Sequence, residues 1–284
     1  MNKIEIRGAS KKYGDVRALD DVTLTFAEDT IYGLLGRNGA GKTTLLSAIT
    51  NRIFLDGGEI TINGETAREN DRALSQVYLM SETAMHPGGM RVSDVFRWTS
   101  HFHAGAFDFA YAKKLCAAFG LDPRKRVKQL STGYGSIYKI ITALALKVPF
   151  LLLDEPVLGL DANHRELLYR TILENYADMP RTIVISTHLI EEVSSLIEKV
   201  VIIKRGRIIK QAPCEELLAS GYTVAGPAEA VDAYTNGRDL IGTDALGGLK
   251  TAYVLGKPDH AALTDRLEVS GLDLQRLFIR LTND

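Results

Sequence analysis

The sequence predicts an α/β fold in which a mostly parallel core sheet carries a phosphate-binding loop, joined by an antiparallel β subdomain, a helical insertion and a small C-terminal α/β appendix. Three observations lead to it. The stretch Gly36-Arg37-Asn38-Gly39-Ala40-Gly41-Lys42-Thr43-Thr44 meets G-x-x-x-x-G-K-[ST] without a mismatch, with the apolar run Ile31-Tyr32-Gly33-Leu34-Leu35 before it and a helically spaced segment after it. Two further apolar runs, 150–153 and 182–185, end in polar residues, Asp154-Glu155 and Ser186-Thr187-His188, as buried parallel strands do. Between about 81 and 147 the pattern turns helical, at Val92–Phe102, 107–119 and 136–146.

In chain order, Ile4-Glu5-Ile6 and Val22-Thr23-Leu24-Thr25-Phe26 alternate as half-buried strands. Tyr13 lies between them in Lys11-Lys12-Tyr13-Gly14, read as a loop, where it is either a base-stacking residue or a surface strand residue. In 36–44 the glycines let the backbone wrap an anion, and the helix N-terminus points N–H groups at it. Lys42 adds a mobile positive charge, and the Thr43 hydroxyl can reach Mg²⁺. Residues 57–65 read as a turn, a short strand and a second turn without chemistry. In the insertion, His101 and His103 stand two apart on a helix and face different ways, which argues against a shared metal. Trp98, with Phe96 and Phe102, reads as core or contact surface. Asp154 and Glu155 at a strand end can hold Mg²⁺ and orient or deprotonate a water. His188, at the end of the next strand, is placed to sense a terminal phosphate. Residues 200–203 and 208–209 read as a closing hairpin.

The 284 residues allow about two domains. With 45% hydrophobic and 24% charged residues and a net charge of -1, no basic surface favours nucleic acid, and none is expected as a partner. Cys116 and Cys214 are far apart, so neither a disulfide framework nor a zinc site is expected, and a reducing cytoplasm fits. The first residues alternate like a strand and carry no secretory core, and the apolar stretch 140–153 is broken by Lys147 and Pro149. Any membrane-spanning part is expected in another chain.

Leu130-Ser131-Thr132-Gly133-Tyr134 opens a helix between the phosphate loop and the carboxylates. With it, the order of features resembles the ATP-binding subunits of ABC transporters, a branch of the P-loop NTPases. Tyr13 matches the base-stacking residue, 36–44 Walker A, 130–134 the signature, 151–154 Walker B followed by Glu155, Gly159-Leu160-Asp161 the D-loop, and His188 the switch. The resemblance covers roughly 1–220 and implies an ATPase using ATP and Mg²⁺. It implies nucleotide contacts from Tyr13, Asn38, Gly39, Gly41, Lys42, Thr43, Thr44, Ser131 and Gly133, and hydrolysis by Glu155, His188 and Lys42. Mg²⁺ would be held by Thr43 and Asp154, with Glu82 as a further candidate. It also implies a second ATP-binding subunit stacked head to tail, each ATP lying between one Walker A and the other signature. A transmembrane permease subunit would seat a cytoplasmic helix beside the insertion, placing this chain on the cytoplasmic face of the membrane.

Thr132 stands where the family's signature has Gly, and the Gln that opens the insertion is missing, its role falling to Ser81 or Glu82. Thr132 is expected to tighten the site, and Glu82 to retune hydrolysis. The domains are expected at 1–220, with the insertion at about 81–147, and at 221–284, where Tyr222-Thr223-Val224, an Ala-rich segment at 227–234, the stretch 251–255 and helical patterns at 259–267 and 272–281 suggest a small α/β appendix. The ending 274–281 is similar to the tails of peptide- and antibiotic-efflux ATPases, hence an exporter. The alternatives are a soluble ABC ATPase on nucleic acid or ribosomes, against which stand the single P-loop and the charge, and a nucleotide-controlled binding module with little turnover, favoured by Thr132 and the missing Gln.

Overall fold

Alternating and continuous apolar runs sort into three sheets in the structure, a computed structural model that describes residues 2–83 and 86–282. The first is antiparallel, in the order β2-β1-β4-β5, from β1 (Lys3–Tyr13), β2 (Val16–Ala27), β4 (Gly57–Ile62) and β5 (Glu65–Thr66). Ile4, Ile6 and Ala9 turn inward while Glu5 and Arg7 pair along the outer face. Tyr13 belongs to this ladder: it closes β1 opposite Val16, so of the two readings the surface strand residue is the one its backbone takes.

The central sheet runs β10-β9-β3-β8-β7-β6, with β3 (Ile31–Leu35), β6 (Val77–Met80), β7 (Phe150–Asp154), β8 (Thr182–Thr187) and β9 (Lys199–Lys204) parallel and β10 (Arg207–Pro213) antiparallel at the edge. Burial on both faces explains why its strands read as unbroken apolar runs. Along β7, Phe150 and Leu152 face the antiparallel sheet and α1 (Lys42–Ile49), whereas Leu151 and Leu153 face the helical side. That side is covered by α3 (Val92–Phe102), α4 (Phe109–Ala118), α5 (Thr132–Ala145), α6 (Ala162–Asp178) and the short α7 (Ile190–Val193); a single turn, α2 (Asp71–Leu74), precedes β6. α5 begins at Thr132, within the helix opening read at 130–134 and ahead of the helical pattern at 136–146, because the Ser131 cap and packing override the low helix propensity of Gly133 and Gly135.

Its other end is closed from outside. The Arg181 side chain, 3% exposed, donates to the carbonyls of Leu144 (3.1 Å) and Leu146 and to Asn175 Oδ1 (2.6 Å), supplying donors that the last turn of α5 lacks.

Residues after β10 form α8 (Cys214–Ala219) and a four-stranded antiparallel sheet, β12-β13-β11-β14, from β11 (Gly221–Pro227), β12 (Leu240–Leu246), β13 (Leu249–Leu255) and β14 (Glu268–Gly271). α9 (Ala228–Thr235) covers a small core of Tyr222, Val224, Val231, Tyr234, Ala252 and Val254. The helix expected over 259–267 reduces to a 3-10 turn at His260–Ala262, since Leu263 and Leu267 are drawn onto the small core and the segment is too short to offset helix nucleation. α10 (Leu274–Thr282) then returns to the main body, burying Leu274, Leu277 and Phe278 in the cluster that holds Ile190 and Val193 of α7.

Candidate functional site

Parallel pairing in register brings the polar strand ends together: Leu35 stands opposite Thr187, and Asp154 opposite Ser186. The phosphate loop leaves β3 at this edge and enters α1. Gly41 has φ +110°, and a Cβ there would lie 2.4 Å from the Ala18 carbonyl oxygen, so the loop closes only with glycine. Lys42 is 6% exposed; its Nζ donates to the Gly36 carbonyl (2.8 Å) and lies 3.4 Å from Glu155 Oε1. Asn38 and Gly39 form the loop apex and line a cavity of about 340 Å³ with Ile203 and Thr282. Thr44 is half-buried in the first turn of α1.

Asp154 is 2% exposed and held on both oxygens, by Thr43 Oγ1 (2.7 Å) and Ser186 Oγ (2.8 Å). Ser186 went unassigned in the sequence, although its place before Thr187-His188 was a usable signal. Glu155 has φ +46°, a left-handed backbone that costs a non-glycine residue roughly 1–2 kcal/mol. Its N–H donates to the Ser186 carbonyl (2.8 Å), and its Oε2 lies 3.0 Å from Nδ1 of the exposed His188. A strained carboxylate held between an ammonium and an imidazole is the kind of outlier found at working sites.

Among the described residues no group of three or more His, Cys, Asp or Glu could hold a metal ion. A threonine hydroxyl and a carboxylate at 2.7 Å nevertheless form a hard-oxygen pair that suits Mg²⁺, which takes one or two protein ligands and leaves the rest to phosphate and water. Glu82 makes no side-chain hydrogen bond among the described residues, but it borders a cavity of about 330 Å³ with Ser131, Thr132, Lys139, Glu155 and Leu158. The Ser81 hydroxyl is 2.8 Å from that of Thr83.

Ser131 caps α5, accepting from Tyr134 N–H (3.3 Å). Gly133 passes so close to the 157–160 loop that a Cβ would lie 2.7 Å from the Gly159 carbonyl oxygen, and the Thr132 methyl abuts Gly159. Thr132 thus packs against its own chain. Among the described residues no hydrogen bond joins Ser131 or Gly133 to 36–44, so the structure does not bring these two candidates onto the phosphate loop. Tyr13 is 49% exposed, with Lys11 Nζ 5.4 Å from its ring centroid. Asp161 caps α6 through His164 N–H (2.9 Å).

Beyond β6, the exposed Trp98 and Phe102 border a groove of about 220 Å³ with Tyr78, Leu79, His86 and His103. His86 meets Trp98 edge-on at 5.7 Å, and His103 meets Tyr78 likewise; the exposed His101 meets only Phe102, edge-on at 5.7 Å, among the described rings. Burial, helped at His86 by the charge of Lys139, pulls both imidazoles below their ordinary value, and neither Nδ1 finds a hydrogen-bond partner. The fold holds these rings neutral. As pH falls below the ordinary value of about 6.5 the unfolded chain takes up protons that the fold refuses, so stability is full above that pH and declines below it. The urea midpoint is expected to drop between about pH 7.5 and 5.5, and less steeply in His103→Phe; equal slopes would contradict the assignment.

The ABC transporter family pattern matches residues 19–158. The chain is 31% identical over 222 residues to the daunorubicin resistance ATP-binding protein DrrA3 of Streptomyces coeruleorubidus, covering 76% of this chain and 70% of that protein. It is 26% identical over 242 residues to the petrobactin import ATP-binding protein YclP of Bacillus subtilis, covering 81% and 96%. Among solved structures, a dimeric bacterial ABC transporter cassette superposes with a TM-score of 0.66 at 21% identity, covering 74% of this chain and 98% of that one.

Proposed function

This chain belongs to the ABC transporter ATP-binding family, whose members bind and hydrolyse ATP, and on that premise we propose that it is the ATPase subunit powering a membrane exporter of peptides, antibiotics or other amphipathic compounds. The observation that carries the ATPase reading is the convergence of Lys42, Thr43, Asp154, Glu155 and His188 at one sheet edge. Lys42 and the amides of 36–44 bind and orient the phosphates. Asp154, fixed by Ser186, and Thr43 would hold Mg²⁺, which when bound neutralises phosphate charge. Glu155 accepts a proton from the attacking water at its carboxylate, and His188 at 3.0 Å keeps that carboxylate turned toward the loop.

Ser131 and Gly133 complete the site from a second copy or a related subunit, because in their own chain Gly133 packs on the 157–160 loop and Ser131 caps α5, and a serine-capped helix N-terminus is a ready phosphate ligand. Tyr13, exposed at a strand end, stacks on the base. The similarity to a daunorubicin resistance protein favours export; the similarity to a petrobactin importer is the reason direction stays a proposal. The groove at Trp98 and Phe102 takes the cytoplasmic helix of a transmembrane permease subunit, which holds this chain at the cytoplasmic face of the membrane. No helix among the described residues is long and apolar enough to cross one. We assign 1–220 to the ATP-binding domain and 221–284 to an accessory domain that steadies α7 through α10. Tagged protein from detergent-solubilised membranes is expected to carry a multi-span membrane protein and to hydrolyse ATP in Mg²⁺; recovery with ribosomes or DNA alone would sink the transporter reading.

A further inference from the structure

His188 reaches Glu155 from a segment that has little of its own to hold it in place. It follows Thr187, the last residue of β8, whose Oγ1 accepts from Leu189 N–H (3.0 Å), and it runs into α7, a single turn whose N-terminus has no side-chain cap. One turn cannot offset the cost of its own nucleation, so α7 is held from outside. Ile190 and Val193 bury into the cluster on the helical side, but apolar contact is non-directional and does not by itself fix how the turn is rotated.

Direction comes from Glu192, four residues after His188. Its Oε1 accepts from Arg165 Nη1 (2.6 Å) and its Oε2 from the Tyr169 hydroxyl (2.9 Å), two groups of α6 spaced i, i+4 on one face. Both bonds end on a carboxylate, and such charge-assisted bonds are about twice as strong as neutral ones. Burial, with the Glu192 carboxylate beside it, pushes the Tyr169 phenol up, so it keeps its proton and donates. The same Arg165 donates from Nε to the Leu160 carbonyl (3.0 Å), in the 157–160 loop on which Thr132 and Gly133 pack. One guanidinium therefore holds the Gly159-Leu160-Asp161 loop and the turn after His188 at a fixed separation. Among the described residues none of these three side chains hydrogen-bonds to 36–44 or to Glu155, so the clasp acts on the site only through what it holds.

We propose that Glu192 is a positioning residue for hydrolysis: clasped by Arg165 and Tyr169, it orients α7 so that the His188 ring meets Glu155, and through Arg165 it fixes that ring relative to the Leu160 loop. This rests on the ATPase reading above and extends it to side chains outside the catalytic group.

The test compares the full-length protein with Glu192→Ala, Glu192→Gln and Tyr169→Phe for kcat, KM and ATP affinity in Mg²⁺, and for melting temperature. We expect Glu192→Ala to lower kcat by about 10- to 100-fold, in the range that a misplacement on the order of 1 Å costs, at unaltered KM and ATP affinity. Glu192→Gln, whose amide can still meet both partners, is expected to regain most of that rate. The position of the ring is read directly by NMR of histidine-labelled protein, in which the His188 signal is identified by its loss in His188→Ala. Glu155→Gln is expected to shift that signal in the parent and to leave it in place in Glu192→Ala, where ring and carboxylate no longer meet. A kcat near the parent value in Glu192→Ala overturns the proposal, as does a Glu192→Gln protein equally slow, or a His188 signal that answers Glu155→Gln as fully in Glu192→Ala as in the parent. If Glu192→Ala melts too low to assay, Tyr169→Phe removes one of the two bonds at nearly constant volume; a smaller loss of kcat at constant KM supports the clasp, and a parental kcat overturns it. A parent without Mg²⁺-dependent hydrolysis would instead remove the ATPase reading beneath it.

Discussion

Glu155→Gln is expected to lower ATP turnover by about 10²- to 10⁴-fold, the span that a positioned general base contributes, while ATP binding stays near the parent value. The amide keeps the shape of the carboxylate and can still meet Lys42 and His188, but it cannot take a proton from water. Binding rests instead on the loop, the Asp154 pair and Lys42, which loses the charge of its partner at 155 but keeps its bond to the Gly36 carbonyl. A second variant separates chemistry from strain. Glu155→Gly is expected to lose turnover equally but to relieve the left-handed backbone at φ +46°, melting no lower than Glu155→Gln. Measured kcat and KM with Mg²⁺ and ATP decide the matter, and turnover within a few-fold of the parent in Glu155→Gln would remove Glu155 from the reaction.

The largest expected effect on stability lies away from the site. Arg181→Met is expected to cost about 3 kcal/mol, because the Leu146 carbonyl and Asn175 Oδ1 lose their donors and the Leu144 carbonyl keeps only Asn175 Nδ2 at 3.3 Å. Burial pushes the Arg181 guanidinium down to about 10, so it is still a cation at neutral pH and its charge-assisted bonds are intact there. Replacing a buried cation with an apolar side chain is sometimes harmless when all its partners go with it. Here the partners are main-chain carbonyls and cannot be removed, so the orphaned acceptors decide the sign. For a chain of this size the loss corresponds to a melting temperature lower by roughly 6–12 °C. Lys at the same position has one donor centre for three acceptors and should fall between. A melting temperature within a degree or so of the parent for Arg181→Met would show that water satisfies those acceptors instead.

Much of the candidate site was legible because its chemistry is contiguous. The loop 36–44 carries its glycines, lysine and threonine in nine consecutive residues, and Asp154-Glu155 and His188 each follow an apolar run that announces a buried strand. The helix Val92–Phe102 was legible from its periodicity alone. Where local signals conflicted, packing decided: the first turn of α5 formed despite two glycines, the helix expected over 259–267 gave way to the small core, and Tyr13 joined a ladder.

The sequence by itself determined that the chain carries a phosphate-binding loop, that two carboxylates and a histidine follow buried strands, and that the net charge is -1. Tertiary structure alone decided that Thr43 and Ser186 share Asp154, that Glu155 sits in a left-handed conformation, that Thr132 and Gly133 pack on the 157–160 loop, and that Ser136, Lys139 and Arg181 fasten the two ends of α5. The reason is physical. Ser136, Lys139 and Arg181 all donate to main-chain carbonyls far away in the chain, and a carbonyl is the same group at every residue, so nothing in the partner's identity marks the contact until the chain is folded.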